Sequence, residues 1–270
     1  MSYINYMDAQ AAYDGVLEFN GPAVVIVKHT NPCGTAVSSV NIADAFRRAL
    51  QGDPVSAFGG IVALNKNVDK KTALLMSKIF FECIIAPGFS PAALEILKKK
   101  KNIRLLKLHA DRVRKGDKEL KSLNGAFLMQ QPDHSMLNPK EWKIVSKKKP
   151  GRAVLKEMEF AWKVCKHVKS NAIVLTRDME IYGVGAGQMS RVDAVTLAKM
   201  KAEQANREMS GLVLASDAFF PFRDGIDQAV AAGAVAVIQP GGSIRDEEVI
   251  AAANEHGISM IFTGYRHFKH

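Results

Sequence analysis

Short apolar runs alternate along the chain with stretches whose apolar residues recur at helical spacing, a pattern that predicts α/β layers. Residues 23–27 are a β-branched run bounded by Gly21-Pro22 and Asn31-Pro32, and read as a strand. Residues 42–50 put Ile42, Ala45, Phe46 and Ala49 on one face of a helix. Residues 60–64 predict a second strand, 73–81 a helix, and 84–86 a strand ended by Pro87-Gly88. A helix over 91–100 has a good start signal, because Ser90 can cap it and Pro91 suits its first position. Residues 211–215 read as another buried strand.

The second half of the chain repeats the first. Cys83-Ile-Ile-Ala-Pro-Gly88 is matched by Val237-Ile-Gln-Pro-Gly241. Each is followed by a helix (91–100; 246–255) and a strand (103–106; 258–262). Upstream, 24–27 parallels 172–175, and 60–64 parallels 211–215. The expectation is two related α/β subdomains, 1–110 and 156–270, joined by a basic connecting region, 111–155.

The bulk numbers narrow the classes. A chain of 270 residues, 47% hydrophobic and 24% charged, suits a soluble protein with a large core. The longest apolar run, around 229–238, is broken by Gly233 and too short to span a bilayer, so no membrane partner is expected. No basic n-region precedes an apolar stretch at the N-terminus, so no signal peptide is expected. Cys33, Cys83 and Cys165 lie far apart, which fits a reducing, cytoplasmic setting and neither a disulfide framework nor a zinc site. The net charge of +10 gathers at 98–101, 112–118 and 147–149 and favours anionic partners. These runs lack interleaved aromatics for base stacking, so a solvated lysine surface is the preferred reading and no nucleic acid is expected.

The candidate chemistry lies at strand ends. Ser216-Asp-Ala-Phe-Phe-Pro-Phe-Arg-Asp-Gly-Ile-Asp227 packs carboxylates, a guanidinium and aromatics around a proline just after a strand. It reads either as a wall for a flat heterocycle or as a salt-bridged turn around Asp217, Arg223 and Asp224. Lys28-His29 closes the first strand, and reads either as a general base beside an ammonium or as a surface pair. Asp53-Pro-Val-Ser-Ala-Phe-Gly-Gly60 is a turn whose glycines admit close backbone approach. Tyr182-Gly-Val-Gly-Ala-Gly-Gln-Met-Ser-Arg191 is glycine-rich but matches neither a dinucleotide fingerprint nor a P-loop. Ser170-Asn171 offers an amide that both donates and accepts. Ser243 is placed to cap the helix beginning at Asp246, and Arg266 in the tail can reach an anion.

Val27-Lys-His-Thr-Asn-Pro-Cys-Gly34, Ser56-Ala-Phe-Gly-Gly60, Ile84-Ile-Ala-Pro-Gly88, Ser170-Asn171, Gly183-Val-Gly-Ala-Gly-Gln-Met-Ser-Arg191, Ser216-Asp-Ala-Phe-Phe-Pro-Phe-Arg-Asp224, Pro240-Gly-Gly-Ser243 and the final Arg266-His-Phe-Lys-His270 occur in one order. Together they resemble the AICAR transformylase domain of the PurH family of bifunctional purine biosynthesis proteins, over essentially the whole chain. The resemblance implies two cytidine-deaminase-like three-layer α/β/α subdomains. It implies formyl transfer from the co-substrate 10-formyltetrahydrofolate to the 5-amino group of AICAR, giving FAICAR, with no catalytic metal.

Carried over by position, the resemblance makes His29 the proton acceptor and Lys28 the transition-state stabiliser, with Asn171 holding the AICAR carboxamide. Gly59, Glu82, Arg191, Phe219 and Arg266 match positions that contact AICAR, and Glu82 stands where some members carry aspartate. Val192, Asp224, Ser243 and Ile244 match positions around the folate. A homodimer with active sites at its interface is implied. The family's cyclohydrolase domain and its Arg-Tyr-Gly-x-Asn-Pro-His-Gln motif are not in this sequence, so closure to IMP is not expected of it. The alternative is a truncated, weakly active or inactive relative that binds folate or nucleotide and needs the missing segment or a partner chain.

Overall fold

Eleven strands form one mixed sheet, which a computed structural model describes over residues 1–108, 117–133 and 138–270. The strands are β1 (Ala23–Lys28), β2 (Asn31–Val37), β3 (Gly60–Leu64), β4 (Phe81–Ala86), β5 (Arg104–Lys107), β6 (Glu119–Leu123), β7 (Ala126–Gln130), β8 (Lys143–Ile144), β9 (Ile173–Arg177), β10 (Glu180–Gly185), β11 (Leu212–Ser216), β12 (Ala234–Gln239) and β13 (Ser259–Phe262). The helices are α1 (Tyr3–Leu17), α2 (Ile42–Leu50), α3 (Pro54–Ala57), α4 (Lys70–Met76), α5 (Pro91–Leu97), α6 (Arg152–Cys165), α7 (Arg191–Gln204), α8 (Asp224–Ala231) and α9 (Asp246–Glu255). The sheet order is β5-β4-β3-β1-β2-β10-β9-β11-β12-β13-β8, and β6-β7 is a separate hairpin. The basic run at 112–118 and the boundary at residue 110 fall largely outside the described residues.

Apart from β8 beyond β13, the strand order is its own mirror about the β2–β10 joint. β1 is antiparallel to β2 and β3, and β3, β4 and β5 are parallel; β9 to β13 repeat this pattern. Tight two-residue turns close both hairpins, at His29-Thr30 and at Asp178-Met179, each residue with φ between 51° and 62°. Such turns match the twist of the strands they join. Because β2 and β10 are antiparallel, the two turns lie at opposite edges of the sheet.

The strands are buried on both faces, which makes a three-layer α/β/α fold. Val25 and Val27 point into a core shared with α1 and α6, while Val24 and Ile26 face α2, α4 and α5. That first core also takes Val174, Val213 and Ile238, so it runs beneath both halves. A third core packs α7, α8 and α9 on the other face.

Several elements differ from the periodicity reading. The helix expected over 73–81 runs Lys70–Met76, capped by Asp69 accepting from Thr72 N at 2.7 Å. Phe81 instead starts β4 and meets Phe46 edge-on at 5.9 Å. The helix expected over 91–100 stops at Leu97, although Ser90 caps it by accepting from Ala93 N at 3.2 Å. Ser243 does not cap α9; Asp246 turns back to accept from Gly242 N and Ser243 N.

The glycines of the Gly183-x-Gly185 run are not a ligand loop. They lie in β10 where α7 crosses it, and a Cβ on Gly183 would sit 2.0 Å from the Ala198 carbonyl. Gly34 does the same for α2 on β2, at 2.1 Å from the Ala49 carbonyl. Gly183→Ala therefore has to push α7 off the sheet. A loss of about 1–3 kcal/mol in denaturant unfolding is expected, and an unchanged midpoint would refute the close approach.

Ion pairs tie the halves and layers together. Arg48 Nε reaches Glu180 at 2.8 Å, Arg207 takes the other oxygen, and Lys201 meets Asp53 at 3.0 Å. Glu18 at the end of α1 accepts from Lys166 Nζ at 2.9 Å and lies 3.1 Å from His167 Nε2. Burial pulls the Glu18 carboxyl upward, but His167 and Lys166 outweigh it and hold the group at about 2, against an ordinary 4.5. The contribution is complete above about pH 4.5 and lost as pH falls toward 2. Glu18→Gln should flatten acid unfolding in that window, and an unchanged acid limb would refute the assignment.

Candidate active site at one edge of the sheet

Strand direction decides what meets at each edge. At one edge lie the C-terminal ends of β1, β10, β11, β12 and β13 and the N-terminal ends of β2, β3, β4, β5 and β9. Every candidate site residue lies on one of these ends or in the segment adjoining it, including Arg191 and Val192 beyond β10.

In the first half, Lys28 ends β1 and donates to the Phe58 and Gly59 carbonyls at 3.3 and 3.1 Å. Gly59 has φ 67°, and a Cβ there would lie 3.2 Å from Lys28 Nζ. A side chain at this position would crowd the ammonium. His29, at the hairpin tip, exposes a ring with no hydrogen bond or ion pair among the described residues. The turn is held from below, since Asp8 of α1 accepts from Thr30 N at 2.6 Å. Glu82 accepts from Asn5 Nδ2 at 2.6 Å and lies 3.9 Å from Arg104.

In the second half, Arg191 opens α7 and points back at the strand ends. Its guanidinium donates to Ser216 Oγ at 2.8 Å, to Asp217, and to Asn171 Oδ1 at 2.7 Å, using three of its five N–H donors. Asp217 is fully buried and also accepts from Ser170 Oγ and from Ala172 N at 3.1 Å. A buried carboxylate is tolerable only when paired and hydrogen-bonded in this way. Asn171 Nδ2 donates to the Gln188 and Met189 carbonyls at 2.8 and 3.2 Å. Its amide is thus largely committed to the protein, with one oxygen lone pair left to face outward.

The cluster has a backing. Ser170 N donates to Lys269 O at 2.9 Å, and His267 N to Asp217 O at 3.2 Å, so the C-terminal tail closes behind it. Burial pushes the Lys269 ammonium below its ordinary value, with Lys169 and Lys166 adding to the effect. The halves touch here, where Lys169 N donates to Asn31 Oδ1 at 2.9 Å.

The structure thus joins Asn171 with Arg191, and Lys28 with Gly59. Phe219 is half-buried, Val192 half-exposed, and Asp224, Ile244 and Arg266 are exposed around the second cluster. Arg266 touches the Phe268 ring at 5.4 Å, and Ser243 Oγ accepts from Arg245 N at 3.1 Å. Arg223 pairs with Asp227 and Glu255, so it belongs to a salt-bridged turn, whereas Asp217 belongs to the site. Asn5 and Asp8 were not legible as supports; their three-residue spacing on a helix was the available signal. Among the described residues no group of three His, Cys, Asp or Glu is placed to hold a metal ion, and no helix is long and apolar enough to cross a membrane.

These features define a duplicated three-layer α/β protein with its polar constellation on one sheet edge. The chain belongs to the family described as AICARFT/IMPCHase bienzyme, whose model matches residues 1–201. It is 50% identical over 273 residues to the bifunctional purine biosynthesis protein PurH of Elusimicrobium minutum (strain Pei191), an alignment covering 100% of this chain and 52% of the relative. The chain spans about half the length of that curated relative.

Proposed function

We propose that this chain acts in purine biosynthesis as a formyltransferase, moving the formyl group of 10-formyltetrahydrofolate to the 5-amino group of AICAR to give FAICAR. The observation that carries this reading is the gathering of Lys28, His29 and Gly59 with Asn171, Arg191 and Asp217 on one edge, in a member of this family. The AICAR amine is a poor nucleophile, because its lone pair is delocalised toward the carboxamide. Attack on the formyl carbon therefore needs proton removal in the same step, and His29 accepts that proton, a reading its exposed ring supports. Lys28 offsets the charge that develops on the formyl oxygen. The C–N bond to the amine forms, the bond from the formyl carbon to folate nitrogen breaks, and the proton passes to the tetrahydrofolate leaving group.

Arg191, locked by Asp217 and Asn171, keeps two donors for an oxygen of AICAR, so Asn171 acts chiefly by positioning it. Glu82, Phe219 and Arg266 complete the AICAR contacts, while Val192, Asp224, Ser243 and Ile244 line the folate side. A homodimer supports a shared site. Tyr3 and Tyr6 on α1 are 76% and 64% exposed, and Phe127 and Met129 on the β6–β7 hairpin 76% and 66%, apolar side chains that a second copy would cover. The test is a carbon-13 label on the formyl group, followed by NMR during incubation with AICAR, with sedimentation of the same sample. The label should appear on the AICAR amine with dimeric protein; label that stays on the folate refutes the reading.

A further inference from the structure

The duplication leaves the first half with a crevice of its own at the opposite edge. There the C-terminal ends of β3, β4 and β5 border a cavity of about 620 Å³ lined by Asn67, Asp69, Phe89, Ser90, Leu105 and Lys107 among others. It is the counterpart of the space at the C-terminal ends of β11, β12 and β13, where Asp224, Ser243 and Ile244 lie. The loops after β4 and β12 read Pro87-Gly88-Phe89-Ser90 and Pro240-Gly241-Gly242-Ser243, a Pro-Gly-x-Ser match at one point of the repeat. The Ile84-Ile-Ala-Pro-Gly88 motif ends here, so the activity proposed above does not account for it.

The crevice is preformed. Val68 N donates to Gly88 O at 2.9 Å and Ser90 N to Val68 O at 3.0 Å, a parallel bridge that zips the loops after β3 and β4 together. The Asn67 amide lies close against Gly88, where a Cβ would come within 2.8 Å of its oxygen. The volume suits a small molecule, and strand C-terminal ends are where α/β sheets take ligands. Phe89 and Leu105 offer apolar walls for a flat ring. Asn67 and Asp69 offer polar groups to a heterocycle edge bearing N–H donors, although one Asp69 oxygen already accepts from Thr72 N at 2.7 Å. Lys107 supplies a cation at the rim.

We infer that this crevice is a second ligand site, for a planar amino-heterocycle carrying an anionic tail. The Ser90–Ser243 parallel leans on the folate reading of Ser243; the cavity and its lining do not. Two sources share this chemistry: a pterin with a carboxylate tail and a purine nucleotide with a phosphate.

The experiment is calorimetric titration of the full chain with 5-formyltetrahydrofolate and, separately, with AMP. For at least one probe, a binding event is expected that Gly88→Val abolishes and that Lys107→Glu weakens about tenfold. Ile244→Glu, on the folate side of the catalytic edge, should leave that event intact. The probe that binds identifies the tail as carboxylate or phosphate. Formyl transfer by Gly88→Val and Lys107→Glu should equal that of the parent. Binding that only Ile244→Glu disturbs, or no event sensitive to either crevice variant in protein of unchanged melting temperature, overturns the inference. Crevice binding without any formyl transfer sinks the proposed activity alone.

Discussion

His29→Asn should lower turnover by about 10²–10⁴-fold and leave the melting temperature where it was. The two halves of that expectation have separate grounds. The ring makes no hydrogen bond or ion pair among the described residues, so the fold loses nothing when it goes. The backbone at φ 51° sits in the left-handed region, which asparagine tolerates better than most side chains, so the hairpin turn keeps its shape. What remains, in the proposed reaction, is loss of the proton acceptor. A rate within threefold of the parent would remove His29 as the base. A collapse of thermal stability would instead make the histidine structural. His29→Ala should show the same loss of turnover, with a small added cost from the strained turn.

Arg191→Ala should cost about 3–5 kcal/mol of stability, the largest loss expected of any single change at the site. The reason is Asp217, which is fully buried and would be left as a carboxylate without its cationic partner. The Asn171 oxygen loses its donor in the same stroke. Changing both members, Arg191→Met with Asp217→Leu, should recover a good part of the stability but none of the activity, because in the proposed function the guanidinium binds AICAR. Urea unfolding of the single and double variants measures the coupling. If the single variant melts like the parent, Asp217 is not held by Arg191. If the double variant is active, Arg191 does not bind substrate.

The strands that carry the site were legible because they are plain apolar runs, and the edge chemistry was legible as polar residues clustered just beyond them. The strands that join the halves were not. Asn31–Val37 holds Pro32 and Gly34, and Glu180–Gly185 holds Gly183 and Gly185, which reads as turn, whereas the glycines serve to let α2 and α7 lie against the sheet. Helix α1 was hidden for the opposite reason. Its first turns expose Tyr3, Ile4, Tyr6 and Met7 and bury Asn5 and Asp8, and the residues it gives the core are mostly small, Ala9, Ala11, Ala12 and Val16, so no stripe of large apolar residues marks it. The buried polar pair makes sense only once Glu82 and the Thr30 turn are seen above it. Likewise, the carboxylates near residue 220 looked alike in sequence, and only burial separated Asp217, which anchors Arg191, from Asp227, which pairs with Arg223 near the surface.

The most direct measurement is the steady-state formation of tetrahydrofolate from 10-formyltetrahydrofolate and AICAR, with AICAR raised to millimolar levels. Turnover that saturates with AICAR, and vanishes in His29→Asn, is the predicted result. A folded dimer that releases no tetrahydrofolate at any AICAR concentration would contradict the assignment of this edge as a formyl-transfer site.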